Sequence, residues 1–207
     1  MRGRFITLEG GEGVGKSTQL KRLAEELRAR GHDVIETREP GGSPGAEAIR
    51  ALLLQGSDDR WSPEAEALLF AAARADHVAR TIRPALERGA WILCDRFLDS
   101  SLAYQGGAGG VGAEAIRRLH AIGSAGLLPD RTLLLHVDPE AAAARARRRD
   151  GEEADRIGAR DAAYHAEVAA AFAALAAEEP ARFRSVDANG SPDQVTSRLL
   201  AALEDLL

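Results

Sequence analysis

The chain has 207 residues, of which 45% are hydrophobic and 29% charged, and its formal net charge is -5. This length predicts one domain over residues 1–207 with a full core, and the acidic balance disfavours nucleic acid as a partner. The single cysteine excludes an internal disulfide framework, and no apolar run reaches the roughly 18 residues that a membrane span needs. No signal-peptide pattern opens the chain, so we expect a cytoplasmic protein without a membrane partner.

Strand and helix patterns alternate from the beginning of the chain. Residues 5–10, FITLEG, predict a buried strand, and residues 33–37, DVIET, predict a second one. Between them, leucines and alanines at helical spacing predict a helix over residues 16–30. A loop rich in proline and glycine, residues 38–45, then leads into a short helix that ends near Leu54.

The same alternation continues to the end of the chain. A long helix opens at Ser62-Pro63, and Pro84 should kink or interrupt it near residues 80–84. The later strands are predicted at 91–95, 131–137 and 182–188. The later helices are predicted from about Asp99, at 112–123, after Asp138-Pro139, at 159–178 and after the capping box Ser191-Pro192-Asp193-Gln194. Five strands separated by helices predict an α/β fold, a five-stranded parallel sheet with helices on both faces.

The first turn between a strand and a helix carries a phosphate-binding pattern. Residues 10–17, GGEGVGKS, match G-x-x-x-x-G-K-[ST] at every fixed position. Glycines let the backbone curl around an anion, and the positive end of the following helix faces the same point. Lys16, one of only two lysines among 27 basic residues, should reach the terminal phosphates, and Ser17 should coordinate Mg2+. The predicted ATP-binding residues are Gly10, Gly11, Glu12, Gly13, Val14, Gly15, Lys16, Ser17 and Thr18.

The rest of the sequence narrows the class of nucleotide-binding protein. GTPases recognise guanine with an N-K-x-D element, but no lysine occurs after residue 21. A motor or transporter ATPase would normally need a longer chain or a partner surface. Residues 10–17 form the phosphate-binding loop, or P-loop, of NTPases. In a chain of this length, that pattern favours a small phosphotransferase that uses ATP.

An acid and an arginine follow the third predicted strand. Asp95 and Arg96 stand at its carboxyl end, which in a parallel sheet faces the crevice where ligands bind. Asp95 is suited to hold Mg2+ or its waters, or to orient the acceptor oxygen. Arg96 is suited to clamp a second phosphate with two hydrogen bonds. The metal ligands predicted from the sequence are therefore Ser17 and Asp95.

Five segments together resemble the bacterial type of the thymidylate kinase family, in order and in spacing. They read LEGGEGVGKST, TREPGGSPGAEAIR, LLFAAARADH, DRFLDSSLAYQGG and RARRRDGEEADRI. The resemblance covers nearly the whole chain, and DRFLDSSLAYQGG is its most specific segment, because many families share the P-loop. It implies a nucleotide kinase fold, ATP and dTMP as substrates, Mg2+ as cofactor, and a homodimer.

The resemblance also implies a pocket for thymidine monophosphate. Phe70 would stack on thymine, Arg74 would hydrogen-bond the base, and Ser101 and Gln105 would contact its edge. Tyr104 would pack under the deoxyribose and disfavour a ribose 2′-hydroxyl. The residues alone agree in part, since Phe70 and Arg74 are four positions apart and so share a helix face.

The monophosphate and the reaction centre complete the implied site. Arg38, Arg50 and Arg96 resemble residues that bind or orient the acceptor phosphate. Glu9 and Glu12 resemble acids that position Mg2+ or the acceptor. The catalytic residues predicted from motif and resemblance are Lys16, Asp95, Arg96, Arg149 and Glu12.

Residues 145–156, RARRRDGEEADR, combine five arginines with four acids. Phosphoryl transfer needs positive charge at the moving group, and the P-loop itself carries Glu12 and no arginine. We therefore interpret residues 147–158 as a lid over ATP that delivers Arg149 or a neighbour. The decisive arginine stays open among Arg145, Arg147, Arg148, Arg149 and Arg156, and Gly158 stands where family members often have an acid.

The function predicted is in-line transfer of the γ-phosphoryl group from ATP to dTMP, which yields dTDP and ADP. Two alternatives remain open at this point. Another nucleotide or deoxynucleoside kinase would turn over a different acceptor. A non-catalytic nucleotide-binding or nucleic-acid-associated module would use the arginines of residues 145–156 as its contact and show little acceptor-stimulated turnover.

Overall fold

A computed structural model shows an α/β fold with one five-stranded sheet. The order of its strands is β2-β3-β1-β4-β5, and every neighbouring pair is parallel. The strands are β1 (Arg4–Glu9), β2 (Val34–Arg38), β3 (Trp91–Asp95), β4 (Arg131–His136) and β5 (Phe183–Asp187). The structure describes residues 3–57, 59–138, 141–142, 156–158 and 160–207.

Helices connect these strands and cover both faces of the sheet. They are α1 (Lys16–Ala29), α2 (Pro44–Leu54), α3 (Pro63–His77), α4 (Arg83–Glu87), α5 (Leu98–Ser101), α6 (Ala113–Ser124), α7 (Ala162–Glu178) and α8 (Pro192–Ala201). The helix predicted after Asp138-Pro139 falls mostly outside the described residues. The prediction of a parallel sheet flanked by helices is confirmed, and the assignment of residues 1–207 to one domain stays a prediction.

Two hydrophobic cores lie on opposite faces of the sheet because successive strand side chains point to opposite sides. On β1, Phe5 belongs to one core and Ile6 and Leu8 to the other. The Phe5 side is covered by residues of α3 to α7, and the Ile6 side by residues of α1 and α8. Near-continuous apolar strands such as WILC of β3 follow from burial on both faces.

Capping residues fix where several helices begin. Ser43, Ser62 and Ser191 each accept a hydrogen bond from a backbone N–H of the first turn, and a proline follows each of them. Ser191 and Gln194 form the predicted capping box. Side-chain acceptors satisfy N–H groups that have no partner inside the helix, which is why these starts were predictable from sequence.

The predicted interruption before Pro84 is confirmed as a π-helical turn. The long helix α3 runs into this turn at Val78–Ile82 and then into α4 at Arg83–Glu87. A second π-helical segment, Leu102–Ala108, continues α5 directly after the third strand. No helix within the described ranges is long and apolar enough to cross a membrane.

Candidate active site

The loop between β1 and α1 forms the phosphate cradle. Its glycines adopt left-handed backbone angles that other residues disfavour, with φ of 133° at Gly10 and 94° at Gly15. A Cβ at Gly10 would lie 2.4 Å from the carbonyl oxygen of Leu135, so glycine is required there. The cradle thus brings backbone groups to the N-terminus of α1, where a phosphate is favoured.

Lys16 turns back over this loop. Its Nζ donates hydrogen bonds to the carbonyl oxygens of Gly10 at 3.1 Å and Gly11 at 2.7 Å. Burial, followed by the charge of Arg96, lowers the pKa of Lys16 to about 8. The ammonium group is therefore held in a place where an added negative charge would favour its protonated form.

Ser17 and Asp95 meet at the adjoining strand end. The Ser17 hydroxyl donates to Oδ2 of Asp95 at 2.6 Å, because β1 and β3 are neighbours and Leu8 pairs with Asp95. Hydroxyl and carboxylate oxygens are the ligands that Mg2+ prefers, usually together with phosphate oxygens and water. Within the described part of the chain, no cluster of three or more His, Cys, Asp or Glu could hold a metal. The oxygens of Ser17 and Asp95 fit an Mg2+ ion whose other ligands come from a nucleotide and water.

Arg96 reaches across the cradle from the end of β3. Its backbone has φ of 68°, which is unfavourable for a residue with a Cβ. Its Nη1 donates to the Gly10 carbonyl and to Oγ of Ser100, both at 3.1 Å, and its Nη2 donates to Glu12. The guanidinium is thus positioned beside the P-loop at the cost of local backbone strain, an arrangement that occurs mainly at functional sites.

Glu9 lies beneath this arrangement and does not line the cavity described below. It is completely buried, and its carboxylate accepts from the backbone N–H of Phe97 at 2.8 Å and from Oγ of Ser100 at 2.6 Å. Burial, and then the charge of Asp99, raises the pKa of Glu9 to about 7. The structure therefore places Glu9 as a support for the segment after β3, whereas the sequence predicted a direct contact with Mg2+ or acceptor.

One cavity of about 630 Å3 extends from the cradle to the predicted acceptor residues on α3 and after β3. Predicted site residues that line it are Glu12, Gly13, Gly15, Lys16, Ser17, Thr18, Arg38, Arg50, Phe70, Arg74, Asp95, Arg96, Ser101, Tyr104 and Gln105. Predicted residues that do not line it are Glu9, Gly10, Gly11 and Val14. Unpredicted lining residues are Glu39, Pro40, Leu54, Phe97, Ser100 and Ile157. Most of the predicted acceptor residues therefore share one cavity with the cradle.

Arg74 is fixed by contacts from three directions. Its Nε donates to Glu39 at 2.7 Å, and its Nη2 donates to Phe97 O at 3.1 Å and to Ser101 Oγ at 2.7 Å. The other oxygen of Glu39 lies 3.0 Å from Nδ1 of His77, one turn after Arg74 on α3. The buried Glu39, itself held by the buried His77, therefore orients the guanidinium of Arg74.

Two more arginines line the cavity near the end of β2. Arg38 is half-exposed and pairs with Glu47 on α2 at 3.2 Å. Arg50 donates from Nη1 to the carbonyl oxygen of Pro40 at 2.7 Å. Both guanidiniums are thus held beside the loop that follows β2, where the sequence predicted contacts with the acceptor phosphate.

Tyr104 and Gln105 come from the π-helical segment that follows α5. The guanidinium carbon of Arg96 lies 5.0 Å from the centre of the Tyr104 ring, and Tyr164 on α7 donates its hydroxyl to the Tyr104 carbonyl at 3.0 Å. Gln105 donates from Nε2 to the buried Glu66 on α3 at 2.9 Å. Both side chains are almost fully buried and line the cavity. Such π segments frequently mark functional sites.

The arginine-rich segment is described only at its end. Arg145, Arg147, Arg148 and the predicted catalytic Arg149 lie outside the described residues, as does most of the predicted lid. Arg156 is described and is buried, donating from Nε to Leu53 O at 2.9 Å and from Nη2 to Glu66. It does not line the cavity, and the catalytic role left open for it stays a prediction.

Sequence reasoning missed the acids that hold these functional groups. Glu39 and Glu66 could not be identified because the residues that they contact are far away in sequence. Ser100, whose hydroxyl donates to Glu9 across 91 positions, was missed for the same reason. One usable signal existed for Glu66, since positions 66, 70 and 74 are four apart and fall on one face of α3. Phe70 and Arg74 line the cavity, and Glu66 lies buried on the same helix face, where it accepts a hydrogen bond from Gln105.

Comparisons with known proteins show the family of this chain. The family model described as thymidylate kinase matches residues 8–199. The thymidylate kinase of Rhizorhabdus wittichii is 68% identical over 207 residues, covering 100% of both chains. The thymidylate kinase of Caulobacter vibrioides is 51% identical over 99% of this chain and 96% of its own. The crystal structure of thymidylate kinase from Ehrlichia chaffeensis superposes with a TM-score of 0.78 at 30% identity, covering 99% of each chain. The chain belongs to the thymidylate kinase family.

Proposed function

We propose that this chain transfers the γ-phosphoryl group of ATP directly to the phosphate of dTMP at the cavity between the P-loop and α3. As a member of the family, the chain is an enzyme that phosphorylates dTMP to dTDP. The proposal adds the site residues, the single in-line step and the role of Mg2+. The continuous cavity is the observation that carries it, because one space adjoins both Lys16 and Arg74.

The ATP end of the cavity supplies positive charge and a metal site. Lys16 would contact the terminal phosphates, and its lowered pKa would rise again when those anions bind. Mg2+ would be held by Ser17 and Asp95 together with nucleotide oxygens, and when bound it would neutralise charge on the phosphates. Glu12 would keep Arg96 beside the cradle through their ion pair.

The acceptor end would bind dTMP through shape and hydrogen bonds. Phe70 would stack on thymine, Arg74 and Ser101 would face the base edge, and Tyr104 would pack under the deoxyribose. These roles are supported by the resemblance and by the location of all four residues on the wall of one cavity. One methyl group separates thymine from uracil and is worth about 1–3 kcal/mol in a pocket, so use of dUMP should be reduced and not abolished.

Catalysis in this proposal consists of positioning and charge stabilisation. The acceptor phosphate is already anionic, so its attack on the γ-phosphorus needs neither a strong base nor a covalent enzyme intermediate. Arg38, Arg50 and Arg96 would hold the attacking phosphate. Arg149, from the arginine-rich segment, would add charge as the phosphoryl group moves.

We also propose the homodimer that the resemblance implies, formed through α3 and α6. These helices pack together, with Ala75 on α3 only 3.2 Å from where a Cβ on Gly123 of α6 would lie. They expose two large apolar side chains, Leu68 at 55% and Ile122 at 85%. Light scattering of the parent and of Ile122→Glu tests this, because a dimer on this face should dissociate in the variant. A cytoplasmic location, where ATP is available, completes the proposal.

The experiment that tests the function measures ADP release with ATP and Mg2+ across several acceptors. These are dTMP, dUMP, dCMP, dGMP, AMP, UMP and thymidine. We expect strong stimulation by dTMP, weaker stimulation by dUMP and little by the others. Preference for thymidine or another monophosphate would refute the acceptor pocket, and no stimulation by any acceptor would favour a nucleotide-binding module.

Variants of the two lysines test the ATP site in the same ADP-release assay. Lys16→Ala should lose most of the activity, because the ammonium group at the cradle is removed. Lys21→Ala is the matched control, since Lys21 is exposed on the same helix and its loss should leave the rate unchanged. Arg149→Ala should also lose most of the activity. Equal rates for the parent and Lys16→Ala would refute the proposed ATP site.

A further inference from the structure

Glu66 is a buried acid on α3 that neither motif nor resemblance singles out. It is 3% exposed, and three side chains donate to its carboxylate. Nε2 of Gln105 donates to Oε1 at 2.9 Å, Nη2 of Arg160 donates to Oε2 at 2.9 Å, and Nη2 of Arg156 donates to the same Oε2. One carboxylate thus joins the π-helical segment of the acceptor pocket to the end of the arginine-rich segment, at Arg156, and to Arg160 just after it.

The two arginines hold this carboxylate in place. The side chain of Arg156 has no exposed surface, and it also donates to the carbonyl oxygen of Leu53 at the end of α2. Arg160 packs over the ring of Tyr164, with 4.5 Å between guanidinium carbon and ring centre. Paired with two guanidiniums, the Glu66 carboxylate is a hydrogen-bond acceptor at both oxygens.

The Glu66 carboxylate sets the orientation of the side-chain amide of Gln105. An amide has a donor end and an acceptor end, and only the NH2 end can bond to a carboxylate. With Nε2 engaged by Glu66, the carbonyl oxygen of Gln105 is the end left for a ligand in the cavity that Gln105 lines. The pocket wall at this point therefore presents an acceptor.

We infer that Glu66 is a positioning residue for base selection, because it holds Gln105 with its carbonyl oxygen toward the base. The inference rests on the proposed function and on the base-edge contact that the resemblance implies for Gln105. Thymine and uracil carry a ring N–H that donates to such an oxygen. Cytosine carries an acceptor at the equivalent ring nitrogen, so it would face the Gln105 oxygen without a hydrogen bond and with a desolvation penalty.

Glu66→Gln tests this inference. In the variant, the arginines would take the new carbonyl oxygen, so its NH2 group would face Gln105 and turn that amide over. The ratio of kcat/KM for dTMP to kcat/KM for dCMP should then fall about tenfold. Glu64→Gln is the matched control, because it makes the same chemical change at an exposed position of the same helix and should leave the ratio unchanged.

The ratio separates this role from a merely structural one. Partial unfolding lowers kcat/KM for both substrates equally, because both react with the same folded fraction, so the ratio stays constant. A folded Glu66→Gln variant whose ratio of kcat/KM for dTMP to kcat/KM for dCMP equals the parent's would overturn the inference. The proposed function would still stand in that case, because the parent turns over dTMP. Absence of dTMP turnover by the parent would refute the proposed function, and this inference with it.

A second measurement covers the case in which Glu66→Gln does not fold. The side-chain amide of Gln105 can be followed by NMR in the parent enzyme during titration with dTMP. We expect the signal of its carbonyl carbon to shift while its NH2 protons stay bonded to Glu66. Release of those NH2 protons from Glu66 when dTMP binds, seen as a shift of their signals, would overturn the inference.

Discussion

Replacement of Glu39 tests how the acceptor pocket is built. The ion pair between Glu39 and Arg74 is almost fully enclosed, with side-chain exposures of 4% and 3% and an N–O distance of 2.7 Å. Glu39→Ala leaves the Arg74 charge buried without its partner. Glu39→Gln keeps an oxygen for Nε of Arg74 and offers an NH2 group to His77, so it removes the charge and preserves the shape.

The magnitudes follow from the burial of this pair. Removing one partner of a buried ion pair costs about 3–5 kcal/mol, because the remaining charge is uncompensated. We expect a loss of that size in the free energy of unfolding of Glu39→Ala, and about 1–3 kcal/mol in Glu39→Gln, where hydrogen bonds to charge are weakened. A guanidinium that is no longer fixed binds the base more weakly, so KM for dTMP should rise about tenfold or more in both variants.

The assay combines urea unfolding with steady-state kinetics. Glu36→Gln is the control, because Glu36 lies on β2 just before Glu39 and pairs with Arg28 at the surface, where such a pair contributes little. KM for ATP should stay near the parent value in every variant, since Glu39 lies at the acceptor end of the cavity. Equal losses of stability in Glu39→Ala and Glu36→Gln would refute the buried ion pair as a source of stability. A folded Glu39→Gln variant with the parent's KM for dTMP would refute the role of Glu39 in fixing Arg74.

Three further changes test other contacts of the site. Burial raises the pKa of Glu9 from 4.5 to about 7 in the folded protein. As pH rises through this range, the unfolded chain loses the Glu9 proton before the folded chain does. The parent's free energy of unfolding should therefore fall by up to about 3 kcal/mol as pH rises from 4.5 to about 7. Glu9→Gln should therefore gain stability relative to the parent between about pH 5 and about pH 8 in urea unfolding, and a constant difference would contradict the shift. Tyr104→Phe should retain the preference for dTMP over its ribose analogue and Tyr104→Ala should weaken it about tenfold; equal ratios would exclude packing under the sugar. Asp95→Asn should raise the Mg2+ concentration that gives half-maximal rate several-fold, and an unchanged requirement would remove Asp95 from the metal site.

The parts of the fold that were predictable are those with local causes. Apolar runs such as FITL of β1 reflect burial on both faces, and serine caps followed by proline mark the beginnings of α2, α3 and α8. The cradle was predictable because its glycines, Lys16 and Ser17 are consecutive in sequence. The order of the strands was not predictable, since it depends on which crossovers the whole chain adopts.

The parts of the site that were missed depend on distant contacts. Glu39 meets Arg74 across 35 positions, and Glu66 meets Arg160 across 94. The resemblance assigned Glu9 to Mg2+ or the acceptor, and that role stays a prediction. In β1, however, alternate side chains share a face, and Glu9 follows Phe5 and Thr7 into the interior.

These distant acids share one arrangement, in which each holds an arginine that another element contributes. The pairs are Glu39 with Arg74, Glu66 with Arg156, Asp99 with Arg182, and Glu12 with Arg96. The first three of these pairs are buried. Buried ion pairs add little net stability, because desolvation offsets their attraction, so stability alone does not explain them. They do fix guanidiniums before a substrate arrives, and phosphoryl transfer gains most of its rate from such fixed charge. Pairs that touch the cavity should therefore lose activity when replaced by apolar residues of equal volume, whereas Asp99 and Arg182, which do not line it, should tolerate the exchange.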